Sequence, residues 1–73
     1  MSFRAWVRSL YGEGKKYVNQ QEMAEAWNMG QSTLAHYVRG SRTPDLERCI
    51  RISEAEDISP AEIAEMVRRD ARE

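Results

Sequence analysis

Apolar residues recur along this chain three and four positions apart, and no segment alternates apolar with polar over several positions, so the pattern predicts helices and no strands. Phe3, Trp6, Val7 and Leu10 form the first helical stripe, with Ser2 placed to cap it and Gly12 and Gly14 to end it. Asn19 opens a second helix, with Glu22 three residues on as in a capping box, and Met23, Ala24 and Trp27 as its inward side. That helix stops at Asn28, a residue that tolerates the left-handed conformation. Only Met29 and Gly30 separate it from the next stretch, Gln31 to Arg39, which Gly40 closes. Two helices joined by so short a turn cross steeply. Thr43-Pro44 reads as a cap followed by a first-turn proline, starting a fourth helix that runs to about Glu56 with Leu46, Cys49, Ile50 and Ile52 as apolar members. Ser59-Pro60-Ala61-Glu62 is a second capping box, and the fifth helix carries Ile63, Met66 and Val67 before fraying from Arg68 onward.

The expectation is therefore an all-α, five-helix single domain spanning 1–73. Its apolar fraction of 41 % and charged fraction of 32 % fit a packed globular chain and exclude a disordered one. No apolar run approaches the roughly 20 residues of a membrane span, no signal-peptide pattern opens the sequence, and no membrane partner is expected. One cysteine, Cys49, and one histidine, His36, offer neither an internal disulfide nor a metal framework, which points to a reducing, cytoplasmic setting and a fold held by packing. The net charge of −1 is unevenly spread: residues 1–44 carry six basic side chains against three acids, residues 45–73 five against nine. A positive front and a negative back would orient the molecule towards a polyanion, although a short chain can also acquire such asymmetry by chance.

Gln20 to Gly40, reading QQEMAEAWNMGQSTLAHYVRG, closely resembles the helix-turn-helix of the Cro and phage-repressor family. Ala24 matches the small residue at the helix crossing, Met29 the apolar plug of the turn, and Leu34 and Tyr37 the inward positions of the recognition helix. The similarity extends through Arg39-Gly40, Arg42-Thr43-Pro44, Leu46-Glu47, Ile52, Ile58-Ser59 and Glu62-Ile63, so it covers about residues 18–64. Asn28 stands where the family usually has glycine. Glu56 stands where a buried leucine is usual, which requires it to be exposed here or paired with a basic group. The Gly12–Lys16 loop is somewhat longer than in the shortest members. The resemblance implies a lambda-repressor-like fold and a sequence-specific regulator that binds double-stranded DNA in a bacterial or phage-infected cell, as a phage repressor or Cro-like switch protein.

The helix beginning at Gln31 has Leu34, Tyr37 and Val38 inward, which leaves Ser32, Ala35, His36 and Arg39 outward with Gln31 at the tip. That face suits the major groove, where base edges carry distinguishable donor and acceptor patterns. Gln31 can pair with an adenine edge, Ser32 can donate or accept, and Ala35 can meet a thymine methyl. By resemblance, the base-reading positions fall on Gln31, Ser32 and His36. For His36 an exposed histidine without a base partner is an equal reading. Phosphate contact is a separate task. Gln20 sits in the first turn of the second helix, where free N–H groups favour an anion. Arg39, Ser41, Arg42 and Thr43 follow the recognition helix and are placed to grip the backbone, and Arg42 can alternatively reach the minor groove. Lys15 and Lys16 are either a loop clamp on phosphate or solvated lysines.

A helix-turn-helix of this size covers half an operator, so a homodimer is expected on a roughly palindromic site, with half-sites roughly 34 Å apart. Ile58, Ile63, Met66 and Val67 form the expected dimer surface, or else they close the monomer's own core. Trp6, Trp27, Met23, Met29 and Cys49 read as core. No nucleophile with a base and an orienting partner is apparent, so no catalytic residue, cofactor, metal or small-molecule ligand is expected. Restriction-modification controllers, antitoxins and protein-binding adaptors built on the same scaffold are the alternative reading.

Overall fold

The computed structural model describes residues 1–72, which form five helices and, apart from one isolated bridge between Tyr11 and Tyr17, no strand. They are α1 Phe3–Ser9, α2 Gln20–Ala26, α3 Gln31–Arg39, α4 Leu46–Glu56 and α5 Pro60–Arg72. Helix α1 packs on α3 and α5, α2 on α3, and α4 on α5. The core between them holds Phe3, Val7, Met23, Trp27, Leu34, Tyr37, Ile52 and Ile63, all essentially inaccessible to solvent. A radius of gyration of 11.1 Å agrees with the roughly 11 Å expected of a close-packed chain of this length. Aromatic rings set part of this geometry. Phe3 meets Tyr37 edge-on at 5.7 Å and the Trp6 and Trp27 rings stack at 5.9 Å, contacts worth about 1 kcal/mol each beyond their burial.

The helix ends follow their sequence signals with two corrections. Ser2 caps α1 as expected, its Oγ accepting from Ala5 N–H at 3.3 Å, and the Asp70 carboxylate of α5 accepts from Arg4 N–H at 3.0 Å. Asn19 Oδ1 accepts from Glu22 N–H at 2.9 Å, and Ser59 Oγ from Glu62 N–H at 3.2 Å. The first correction concerns α4: its cap is Asp45, whose carboxylate accepts from Arg48 N–H at 2.9 Å, so Thr43-Pro44 precedes the helix. A proline just outside the cap gives up no ladder hydrogen bond, and a carboxylate at the positive end of the helix is a stronger cap than a threonine hydroxyl.

Of the apolar members of α4, Leu46 and Ile50 lie outside the core. Leu46 is 75 % exposed and Ile50 42 %, while Cys49, Ile52 and Ser53 carry the buried side of α4. The second correction is that α5 does not fray at Arg68: it is helical through Arg72, with Arg68 and Arg69 paired to Glu65 at 3.1 and 3.8 Å.

Candidate nucleic-acid interface

The turn between α2 and α3 is built by Asn28. Its φ of 54° is left-handed, Met29 N–H donates back to Ala24 C=O at 3.0 Å, and Asn28 N–H to Glu25 C=O at 3.1 Å. These two bonds satisfy the carbonyls at the end of α2 and turn the chain sharply enough for α3 to start at Gln31. Ala24 is fully buried, as the tight crossing requires, and Met29 is half-buried against the core. Helix α3 lies with Leu34 and Tyr37 buried, Ala35, His36 and Val38 half-buried, and Gln31, Ser32 and Arg39 exposed. Gly30 precedes it without any side-chain cap, so the first-turn amides and the positive end of the helix dipole face outward beside Gln31 and Ser32.

Gln20 and Gln31, eleven positions apart in sequence, line one open cleft of about 620 Å³ with Tyr11, Gly12, Val18, Asn19 and Gln21. Gln20 Nε2 donates to the Tyr11 hydroxyl at 3.2 Å, which orients its amide across the cleft. Tyr11 has no counterpart in the sequence-based site. Its place depends on the loop closure between Gly12 N–H and Tyr17 C=O at 2.9 Å and between Tyr17 N–H and Leu10 C=O at 3.0 Å.

At the other end of α3, Gly40 adopts φ 78° and closes the helix, and Ser41 N–H donates to His36 C=O at 3.0 Å. His36 Nδ1 lies 2.9 Å from Ser41 Oγ and 3.1 Å from Arg39 Nη2. A guanidinium only donates, so Nδ1 is the acceptor and the ring proton belongs on Nε2. Partial burial and the charges of Arg42 and Arg39 hold the imidazole pKa below its usual value, which keeps the ring neutral at neutral pH. A neutral histidine with Nε2–H presents a hydrogen-bond donor.

Arg39, Ser41, Arg42 and Thr43 are all exposed at this end. Arg8 joins them from α1, its Nε donating to Val38 C=O at 3.0 Å. Nothing in the local sequence around Arg8 signals this; only the packing of α1 on α3 brings it there.

Lys15 and Lys16 have different fates. Lys15 is exposed in the loop. Lys16 Nζ is 3.0 Å from Glu56 Oε1, so it is held in an ion pair while its side chain stays about half-exposed. Glu56, 4 % exposed, also accepts from Trp27 Nε1 at 2.8 Å and from the Tyr17 hydroxyl. Burial would raise the Glu56 carboxyl pKa. The hydrogen bonds from Tyr17, Trp27 and Lys16, with the charge of Lys16, outweigh burial and hold it below the usual value. Burial, with the hydrogen bond and charge of Glu56, pushes Tyr17 up to about 12. The carboxylate in the usual leucine position is therefore paired, one of the two outcomes that the sequence allowed.

The expected dimer surface also changes. Ile63 is completely buried and closes the core, so it offers nothing to a second copy. Ile58, Met66 and Val67 are half-buried against that core.

Two helices joined by a left-handed turn, the second with a polar face free to solvent and held by the first, define a helix-turn-helix protein. A family model described as Helix-turn-helix matches residues 13–63, more than half of the chain. The chain belongs to the Cro/C1-type helix-turn-helix family, with its lambda-repressor-like all-α fold, and thus to the DNA-binding transcription regulators. Comparison with curated proteins and with solved structures gives no significant match. Among the described residues no helix is long and apolar enough to cross a membrane, and no cluster of His, Cys, Asp or Glu is arranged for a metal ion.

Proposed function

We propose that this protein is a sequence-specific regulator of the phage-repressor or Cro-like kind, binding a palindromic operator as a homodimer. The main support is the outer face of α3: Gln31 and Ser32 are exposed at an uncapped helix start, and Gln20 lines one cleft together with Gln31. In the major groove, Gln31 pairs with an adenine edge, Ser32 donates or accepts beside it, and the half-exposed Ala35 methyl meets a thymine methyl. His36, with its proton on Nε2, donates to an acceptor such as guanine O6 or N7 or thymine O4. Gln20, Lys15, Arg39, Ser41, Arg42 and Thr43 hold the phosphates on either side and fix the register, and Arg8 adds a cation at the Arg39 end. This division of labour separates reading from gripping: the neutral groups lie along α3, the cations at its flanks.

Selection of bound fragments from a random duplex pool tests this directly. The expected product is an inverted repeat with half-sites one helical turn apart. With Gln31→Ala, preference should relax at one base position per half-site, at a cost of about 1–3 kcal/mol on the enriched site. A pool that stays unenriched, or a variant that selects the same bases equally sharply, would refute the assignment.

A further inference from the structure

Tyr11 stands at the start of the loop between α1 and α2, and the core fixes it there. Its backbone is bracketed by the hydrogen bonds from Gly12 N–H to Tyr17 C=O at 2.9 Å and from Tyr17 N–H to Leu10 C=O at 3.0 Å. Tyr17 is buried and its hydroxyl donates to Glu56 of α4, so this pairing is anchored in the interior. The Tyr11 ring is itself half-buried against the core. Its hydroxyl meets the cleft that Gln20 and Gln31 share, where it accepts from Gln20 Nε2 at 3.2 Å. Every described residue lining that cleft is uncharged.

We propose that Tyr11 is a positioning residue of the DNA interface, holding the Gln20 amide ready for a phosphate in a grip that uses no charge. The inference rests on the DNA-binding reading above and deepens it. An amide nitrogen carries two N–H groups. One is spent on the Tyr11 hydroxyl, and the other remains to donate to a phosphate oxygen. A free glutamine samples many rotamers, and fixing one of them on binding costs entropy. Tyr11 imposes that order before DNA arrives, because its own place is already set through Tyr17 and Glu56.

This grip differs in kind from that of Arg39 and Arg42 at the other end of α3. A cation on a phosphate releases counterions and adds to the salt dependence of binding, whereas a neutral amide donates without doing so. The two ends of α3 therefore hold the backbone by different physics. The Arg39 end grips by charge and weakens as salt rises. The Gln20 end grips by an oriented neutral donor and keeps its strength.

The test is a double-mutant cycle on the full chain, read as affinity for a duplex carrying one half-site enriched from the random pool, with salt varied. Tyr11→Phe keeps the ring and removes the hydroxyl. It should weaken binding roughly threefold to tenfold, the worth of one neutral hydrogen bond, and by the same factor at every salt concentration. In a Gln20→Ala background the same substitution should change nothing, because the group it positions is gone. Full affinity in Tyr11→Phe, an equal loss with Gln20→Ala in place, or a salt slope reduced by about one unit each overturns the positioning role while leaving DNA binding intact. Equal loss in both backgrounds is what a merely structural loop residue would give, or a tyrosine that touches DNA independently of Gln20. Absence of any duplex binding by the wild type at low salt overturns the DNA reading and this role with it.

Discussion

Glu56 illustrates how much one residue can commit. Its carboxylate receives a tyrosine hydroxyl, an indole N–H and a lysine ammonium, and so ties the α1–α2 loop and the end of α2 to the end of α4. Because its pKa is depressed in the fold, its contribution to stability is complete above the ordinary carboxyl value of 4.5 and is lost as pH falls through the folded value. Tyr17 works in the opposite direction: with a raised pKa, its contribution is complete below 10 and is lost as pH rises towards about 12. Urea melts of the wild type across pH should therefore fall away at both ends, and Glu56→Gln should flatten the acid limb. An acid limb that is unchanged in Glu56→Gln would remove this carboxylate from the account. The sequence made Glu56 conspicuous as an acid in an apolar position and demanded exposure or a basic partner. It did not say which base, because Lys16 and Glu56 are forty residues apart and meet only through tertiary packing. The same limit hid Tyr11 and Arg8, whereas Gln20 and Gln31 were legible because each sits in the first turn of a punctuated helix.

At the scale of elements, helix ends decide the layout. Asn28 and Gly40 were readable as stops because few residues accept a positive φ, and the structure gives 54° and 78° there. The start of α4 was misplaced because Thr43-Pro44 and Asp45 offer adjacent capping signals, and only the hydrogen bond to Arg48 N–H separates them. Which apolar residues of α4 are buried was not legible for a related reason. A short helix carrying Leu46, Cys49, Ile50 and Ile52 has apolar residues over too wide an arc for periodicity to choose the buried set. Gly40 is under a second constraint, since a Cβ there would come within 2.6 Å of an Arg4 Nη1. Gly40→Ala should thus cost about 1–2 kcal/mol, from the left-handed backbone and the displaced guanidinium together. Thermal denaturation checks this, and an unaltered melting temperature would mean that the end of α3 rearranges without penalty.

For the molecule as a whole, the near-neutral total charge conceals a division of surfaces. Arg8, Arg39 and Arg42 come from two separate segments and converge on one end of α3, and Lys15 lies in the loop before α2. The acids outnumber the bases in the second part of the chain, chiefly on α4 and α5. Binding to a polyanion then depends on orientation, not on net charge. Each phosphate neutralised releases counterions and steepens the salt dependence by about 0.9 in log–log slope. The most direct measurement is the affinity for duplex DNA as a function of salt concentration, with wild type and Arg39→Ala compared. The expected slope is about −3 to −4 per bound copy from those four cations, reduced by about one unit in the variant. Affinity that does not change with salt, or no binding to duplex even at the lowest salt, would contradict it.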